Sequence, residues 1–154
     1  MEKNFLLRAV ELSKISIDEN CGPFGAIIVR NGEIIAEAHN TVTRDNDPTA
    51  HAEVNAIRKA AQNLSNFDLS DCEIYTSTEP CPMCLSAIYW SRMKKVYYAN
   101  TRQDAAAINF DDEYIYNELA KPIEQRELEM KKIEIPEAKE VFNLWMNKEN
   151  KIEY

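Results

Sequence analysis

The chain has 154 residues, enough for one domain with a real core, and its 45% hydrophobic and 29% charged residues are the composition of an ordinary soluble globular protein. A formal net charge of −8 gives a surface that repels polyanions and argues against a nucleic-acid partner. No stretch has the apolar length of a membrane span, and Met1-Glu2-Lys3-Asn4-Phe5 is mixed in charge with no signal-peptide apolar region, so a cytoplasmic protein is expected.

Residues 2–19 read as an amphipathic helix, with Phe5, Ala9 and Leu12 on one face and Leu6 and Val10 beside them. Cys21-Gly22-Pro23-Phe24-Gly25 breaks it. Gly25–Arg30 and Glu33–His39 are strand-like runs on either side of Asn31-Gly32, and that dipeptide predicts a hairpin because a type I′ turn needs positive φ at both central residues. Asn40–Asp47 reads as a polar loop. The next helix is expected to carry Pro48 in its first turn, Asp47 or Thr49 as its cap, and an apolar stripe of Val54, Ile57, Ala61 and Leu64. A strand at 72–78, a helix at 82–91 and a strand over Lys95–Ala99 follow. This order fits an α/β layer architecture with a mixed sheet. Past Asn100, Phe110-Asp111-Asp112-Glu113-Tyr114-Ile115-Tyr116 reads as a loop turning into a helix, Lys131–Ile135 as a last strand and Glu137–Asn147 as a last helix. No repeat or linker divides the chain, so residues 1–154 are expected to form a single domain.

The chemistry concentrates in two places. Glu79-Pro80-Cys81-Pro82-Met83-Cys84 follows a strand and opens a helix, which puts two thiols on one turn at an N-terminus where negative charge is favoured. Paired thiolates at this spacing suit zinc, although a C-x-x-C alone is equally a redox pair or half of a structural zinc site. Thr49-Ala50-His51-Ala52-Glu53 opens an earlier helix and supplies the imidazole that fits them. One histidine and two thiolates leave the fourth tetrahedral position open, as catalytic zinc sites do and closed structural sites do not. His39 alternates within a strand and reads as an edge residue, while Cys21 and Cys72 read as small buried residues. Glu53 lies about 200° around the helix from His51, so it does not share that metal-facing side and can instead sit over the open position as a proton acceptor.

His51-Ala52-Glu53 followed by Pro80-Cys81-Pro82-Met83-Cys84 matches the H-x-E and P-C-x-x-C signature of zinc-dependent base deaminases. With Gly22–Ala26, Asn40 and Asn46–Glu53, the chain resembles the cytidine-deaminase superfamily, in the branch that holds tRNA adenosine deaminases and guanine deaminases. Trp90, the cluster Phe110–Tyr116 and the terminal Lys151-Ile152-Glu153-Tyr154 resemble the guanine-deaminating bacterial members.

The resemblance implies a three-layer α/β/α cytidine-deaminase-like fold with a central mixed sheet of about five strands. It implies one zinc per chain on His51, Cys81 and Cys84, with Glu53 as the proton shuttle and Asp112 as a second catalytic acid or a contact to the guanine edge. Asn40 would read the purine's polar edge, Phe24 and Trp90 would wall the pocket, and Tyr154 would close it. The implied substrate is a free purine base, in a homodimer that could exchange a C-terminal segment of about residues 136–154, with no nucleic-acid or membrane partner. Three rivals stand beside this reading: a tRNA adenosine deaminase, a deaminase of another base or nucleoside such as cytosine or guanosine, and a non-catalytic zinc-stabilised binding domain. The first would need a basic footprint that this acidic chain lacks, and the last would have no use for Glu53.

Overall fold

The strongest turn signal in the sequence is realised without change. Asn31 and Gly32 both take positive φ, 53° and 82°, and join β1 (Gly25–Arg30) to β2 (Glu33–His39) as a two-residue hairpin. The computed structural model describes residues 1–154, in two compact units, Met1–Tyr114 and Ile115–Tyr154.

In the first unit, α1 (Glu2–Asp18) precedes the hairpin, and a short α2 (Val42–Asp45) forms within the polar loop. α3 (Ala52–Leu64), β3 (Cys72–Thr78), α4 (Pro82–Trp90), β4 (Val96–Asn100) and α5 (Arg102–Ala106) follow, and α6 (Glu113–Ala120) begins at its end. The sheet order is β2-β1-β3-β4, antiparallel at both β1 pairings and parallel between β3 and β4, where α4 makes the crossover. The sheet is mixed, as expected, but it has four strands and not five. Lys131–Ile135 has no strand to pair with, and extended backbone without a ladder is not a strand.

β1 is buried on both faces and reads accordingly as Ala-Ile-Ile-Val. Ile27 and Val29 pack with Leu12 and Tyr75 on the α1 side, whereas Ala26, Ile28 and Ile74 pack with α3 and with Ile88 of α4 on the other. The result is three layers, helix, sheet and helices. Gly25 shows how closely α1 lies on the sheet: a Cβ there would fall 2.2 Å from Ala9 O and 2.7 Å from Ser13 N, both backbone atoms of that helix.

α3 departs from the expectation. Its fully buried line is Ala52, Glu53, Ala56 and Ala60, and Val54, Ile57, Ala61 and Leu64 are only half-buried. The side facing the sheet is small because the helix lies close to it. The helix also begins later than Pro48, with His51 as its N-cap. The Asp47 carboxylate accepts from Thr49 N–H at 2.8 Å and from its hydroxyl at 2.7 Å, closing a local turn that competes with helix over 47–49.

In the second unit, a 3₁₀ turn (Ile123–Gln125) and α7 (Pro136–Met146) follow the rest of α6. The Glu118 carboxylate organises the turn, accepting from Lys121 Nζ and from Glu127 N–H at 2.7 Å. α7 has no buried residue, and Phe142 and Leu144 are 75% and 71% exposed.

The two glycines of the hairpin region make different demands. Gly25→Ala drives a methyl into helix backbone and is expected to lower the unfolding free energy by about 3 kcal/mol, the upper end of overpacking costs. Gly32→Ala would make only an ordinary van der Waals contact, with Met1 Sδ 3.8 Å away, and should cost about 1 kcal/mol for its positive φ. Equal denaturation midpoints for the two variants would contradict this packing.

Candidate metal and catalytic site

Register brings the chemistry to one end of the sheet. Gly25 pairs with His39 and Ala26 with Thr76, so the start of β1 and the ends of β2 and β3 lie side by side; Thr78 pairs with Asn100, which adds the end of β4. Phe24, Asn40 and Cys81 therefore leave the sheet at the same edge. α3 and α4 both start there, with His51 and Cys81 as their N-caps and Pro82 at the first helical position after Cys81.

Asn55, one turn into α3, holds this edge together. Its side-chain amide donates to His39 O at 3.1 Å, Thr41 Oγ1 at 3.0 Å and Ala50 O at 3.3 Å, tying the strand end that carries Asn40 to the turn that enters His51. On the other side Glu79 N–H donates to Asn100 O at 2.8 Å, and the Glu79 carboxylate accepts from Arg102 N–H at 3.1 Å, fixing the approach to Pro80-Cys81.

His51 Nδ1 lies 3.6 Å from Cys81 Sγ and 3.5 Å from Cys84 Sγ, and the three donor atoms all fall within 4.8 Å of one another. Zinc with Zn–S of about 2.3 Å and Zn–N of about 2.0–2.1 Å in tetrahedral array sets its nitrogen and sulfur ligands about 3.6 Å apart. The residues therefore fit zinc in both donor type and spacing. The thiols share charge unequally. Cys81 is pulled well below the usual thiol range, chiefly by the hydrogen bond from the Cys84 thiol and then by His51. The Cys84 thiol is pushed up by the neighbouring Cys81 thiolate and by burial, and a cation entering the site takes the place of its proton. His51 is raised, first by its contact with Cys81.

Glu53 is 6% exposed, and burial pushes its carboxyl above the usual range. Its Oε1 accepts from Thr76 Oγ1 at 3.2 Å, and Oε2 lies 3.4 Å from Cys84 Sγ. It thus sits beside the metal group with one oxygen toward it. Asp112 is half-buried and also raised, by burial first and then by the negative charge of Cys81, which places it within electrostatic reach of the ligands.

Asn40 is buried, and its Oδ1 accepts from Val42 N–H at 3.1 Å, which leaves the amide N–H groups as the free function. The Phe24 ring meets Phe110 edge to face, with centroids 5.0 Å apart. Trp90 is 64% exposed and stands at the C-terminal end of α4, opposite the end that carries Cys81. Tyr154 belongs to the second unit and is exposed. His39 makes no approach to the metal group. Its Nδ1 lies 3.0 Å from Asn40 O and its Nε2 3.7 Å from Glu19. Cys21 and Cys72 are buried free thiols.

Two neighbours of the site escaped the sequence reading. Phe110 stood in the acidic-aromatic cluster without a partner assigned to it. Thr76 was legible in part, since alternation from Ile74 turns it toward α3, but only the folded register shows that it meets Glu53.

Metal analysis of the purified wild type should give one zinc per chain. Cys81→Ala should reduce zinc affinity by more than about 10²-fold, because two remaining ligands hold the ion poorly. Iron, or full zinc retention in the variant, would contradict the ligand assignment.

Comparison with known proteins agrees with this geometry. Residues 1–100 match the family described as the cytidine and deoxycytidylate deaminase zinc-binding region. Guanine deaminase of Bacillus subtilis (strain 168) is 52% identical over 153 residues, 99% of this chain and 98% of that protein, and its X-ray structure superposes with a TM-score of 0.95. A tRNA-specific adenosine deaminase of Aquifex aeolicus (strain VF5) is 44% identical over 64% of this chain and 66% of its own length. A structure of guanine deaminase from Nitrosomonas europaea has a TM-score of 0.67 at 34% identity, covering 70% of this chain and 63% of that one. With its family signature, ligand spacing and full-length likeness in agreement, this chain belongs to the cytidine and deoxycytidylate deaminase family of zinc-dependent hydrolases.

Proposed function

We propose that this chain hydrolyses guanine to xanthine and ammonia. The observation that carries the reading is the likeness to a guanine deaminase through 99% of the chain, where the likeness to the tRNA-specific enzyme of Aquifex aeolicus covers 64%. The residues that would distinguish a free base, Asp112 and Tyr154, lie in the part past residue 100, beyond the family match. The acidic balance of the chain points the same way, because a phosphate backbone would meet net negative charge.

Bound at His51, Cys81 and Cys84, zinc would supply a Lewis acid that acidifies water at its open position. Glu53 would take one proton from the attacking water and pass it to a ring nitrogen as the water oxygen bonds C2 of guanine, then carry the second proton, from the new hydroxyl, to the amino nitrogen as the C2–N bond breaks. Nitrogen can then leave as ammonia instead of the far poorer amide ion. A buried carboxylate whose affinity for protons is raised is suited to both accepting and giving. Asp112, raised as well, would bind the guanine edge or protonate the leaving nitrogen. The Asn40 amide N–H groups would donate to an acceptor on the purine edge, and Phe24, braced by Phe110, would lie along the ring.

The working unit in this reading is a homodimer. Val141, Phe142, Leu144 and Trp145 of α7 are exposed, an apolar surface that a second copy would cover. Exchange of residues of about 136–154 would then bring Tyr154 to a pocket as its lid. Trp90, at the far end of α4 from the ligands, would wall a pocket only as part of such an assembly. All 154 residues would act as one deaminase domain, in the cytoplasm and with no membrane partner. No helix is long and apolar enough to cross a membrane.

Glu53→Gln preserves shape and removes the proton acceptor, so zinc should remain while turnover of guanine falls by about 10²–10⁴-fold; unchanged turnover would remove Glu53 from its role. Deleting Lys151–Tyr154 should impair guanine turnover and leave the melting temperature unchanged, since so short an end carries little core. Undiminished turnover would mean that the tail is no lid. The reading as a whole is tested by assaying ammonia release from a panel of free bases, nucleosides and a tRNA anticodon stem. Guanine should react and adenosine in RNA should not; the reverse result would replace the guanine reading with the nucleic-acid one.

A further inference from the structure

At Thr76 the face of β3 that begins apolar turns polar while still buried. Ile74, Thr76 and Thr78 share the face of β3 that looks toward α3, and Ile74 packs there with Ala52 and Ala56. Thr76 itself is 1% exposed, in the interior of a strand paired on both sides. Valine would fill the same space and suit a central strand better, so a hydroxyl at this position needs a polar partner. Its partner is Glu53 Oε1, at 3.2 Å.

The two oxygens of Glu53 are held differently. Oε2 lies 3.4 Å from Cys84 Sγ, on the side of the ligand group, while Oε1 meets the strand. Beside the residue's own backbone N–H, the Thr76 hydroxyl is the donor that the strand supplies to the Glu53 carboxyl, and it bears on the oxygen turned away from the ligands.

We propose that Thr76 is a positioning residue: its hydroxyl holds Glu53 Oε1, so that Oε2 alone faces the reacting atoms. This rests on the reading of Glu53 as the proton carrier and does not depend on which base is the substrate. It also accounts for a polar side chain beneath the buried carboxylate, where an unpaired acceptor would be costly.

The test compares Thr76→Val, Thr76→Ala and Thr76→Ser with the wild type. Thr76→Val should lower kcat on guanine on the order of 10-fold, the effect expected of an outer hydrogen bond to a site residue, with KM and zinc content little changed. Thr76→Ala, which removes the hydroxyl without adding apolar bulk, should show the same loss, and Thr76→Ser should restore most of it. In the Glu53→Gln background, Thr76→Val should reduce residual turnover no further. A crystal structure of zinc-loaded Thr76→Val should show the Glu53 carboxylate in more than one orientation, where the wild type and Thr76→Ser show one. Wild-type kcat in both the Val and Ala variants, a loss that Thr76→Ser does not repair, or a fall in kcat that tracks zinc loss would overturn the proposal. Should the wild type deaminate another base and not guanine, the guanine reading fails, and the same variants are read on the base that reacts.

Discussion

The site depends on how closely α3 lies against the sheet. Ala52, Ala56 and Ala60 form the line of that helix turned to β2 and β1, and small side chains there let the backbone settle near the strands. That approach brings His51 Nδ1 within 3.6 Å of both sulfurs on α4 and seats Glu53 against Thr76. Larger residues on the same line would lift the start of α3 and separate the ligands. On the opposite face Gly25 performs the corresponding service for α1, whose backbone occupies the space a side chain would need. The sheet edge that carries Phe24, Asn40 and Cys81 is thus gripped between two helices at close range.

Charge explains why this geometry needs a cation. Two cysteine sulfurs, Glu53 and Asp112 gather in a partly desolvated space: burial first raises Glu53 and Asp112, the Cys81 charge raises them further, and it raises Cys84 as well. His51 and the two helix N-termini offset part of it. A divalent ion would balance the pair of thiolates, and in the proposed reaction the carboxyl groups would be left to exchange protons. Burying Glu53 costs stability, and Thr76 limits that cost while directing the group.

Much of this was legible because some residues have few physical alternatives. Asn31-Gly32 can take positive φ twice in succession, and the two thiols and imidazole at helix starts had one common use. The start of α3 was misread because Pro48 suits a first helical turn in isolation, whereas Asp47 captures Thr49 and delays the helix to His51. Apolar periodicity singled out Val54, Ile57, Ala61 and Leu64, but packing buried the neighbouring line of Ala52, Ala56 and Ala60. Lys131–Ile135 alternates like a strand, and only the fold reveals that nothing pairs with it. Thr76 and Phe110 gain meaning from neighbours that are distant in sequence, Glu53 and Phe24. Local pattern does not contain such information.

The central claim is that one imidazole and two thiolates hold the metal and leave a position open beside Glu53. X-ray absorption at the zinc edge of the purified protein measures this directly. The account predicts two sulfur ligands at about 2.3 Å and two nitrogen or oxygen ligands at about 2.0–2.1 Å, one of them exchangeable with solvent anions. Four sulfur ligands, or a first shell closed to exchange, would contradict it.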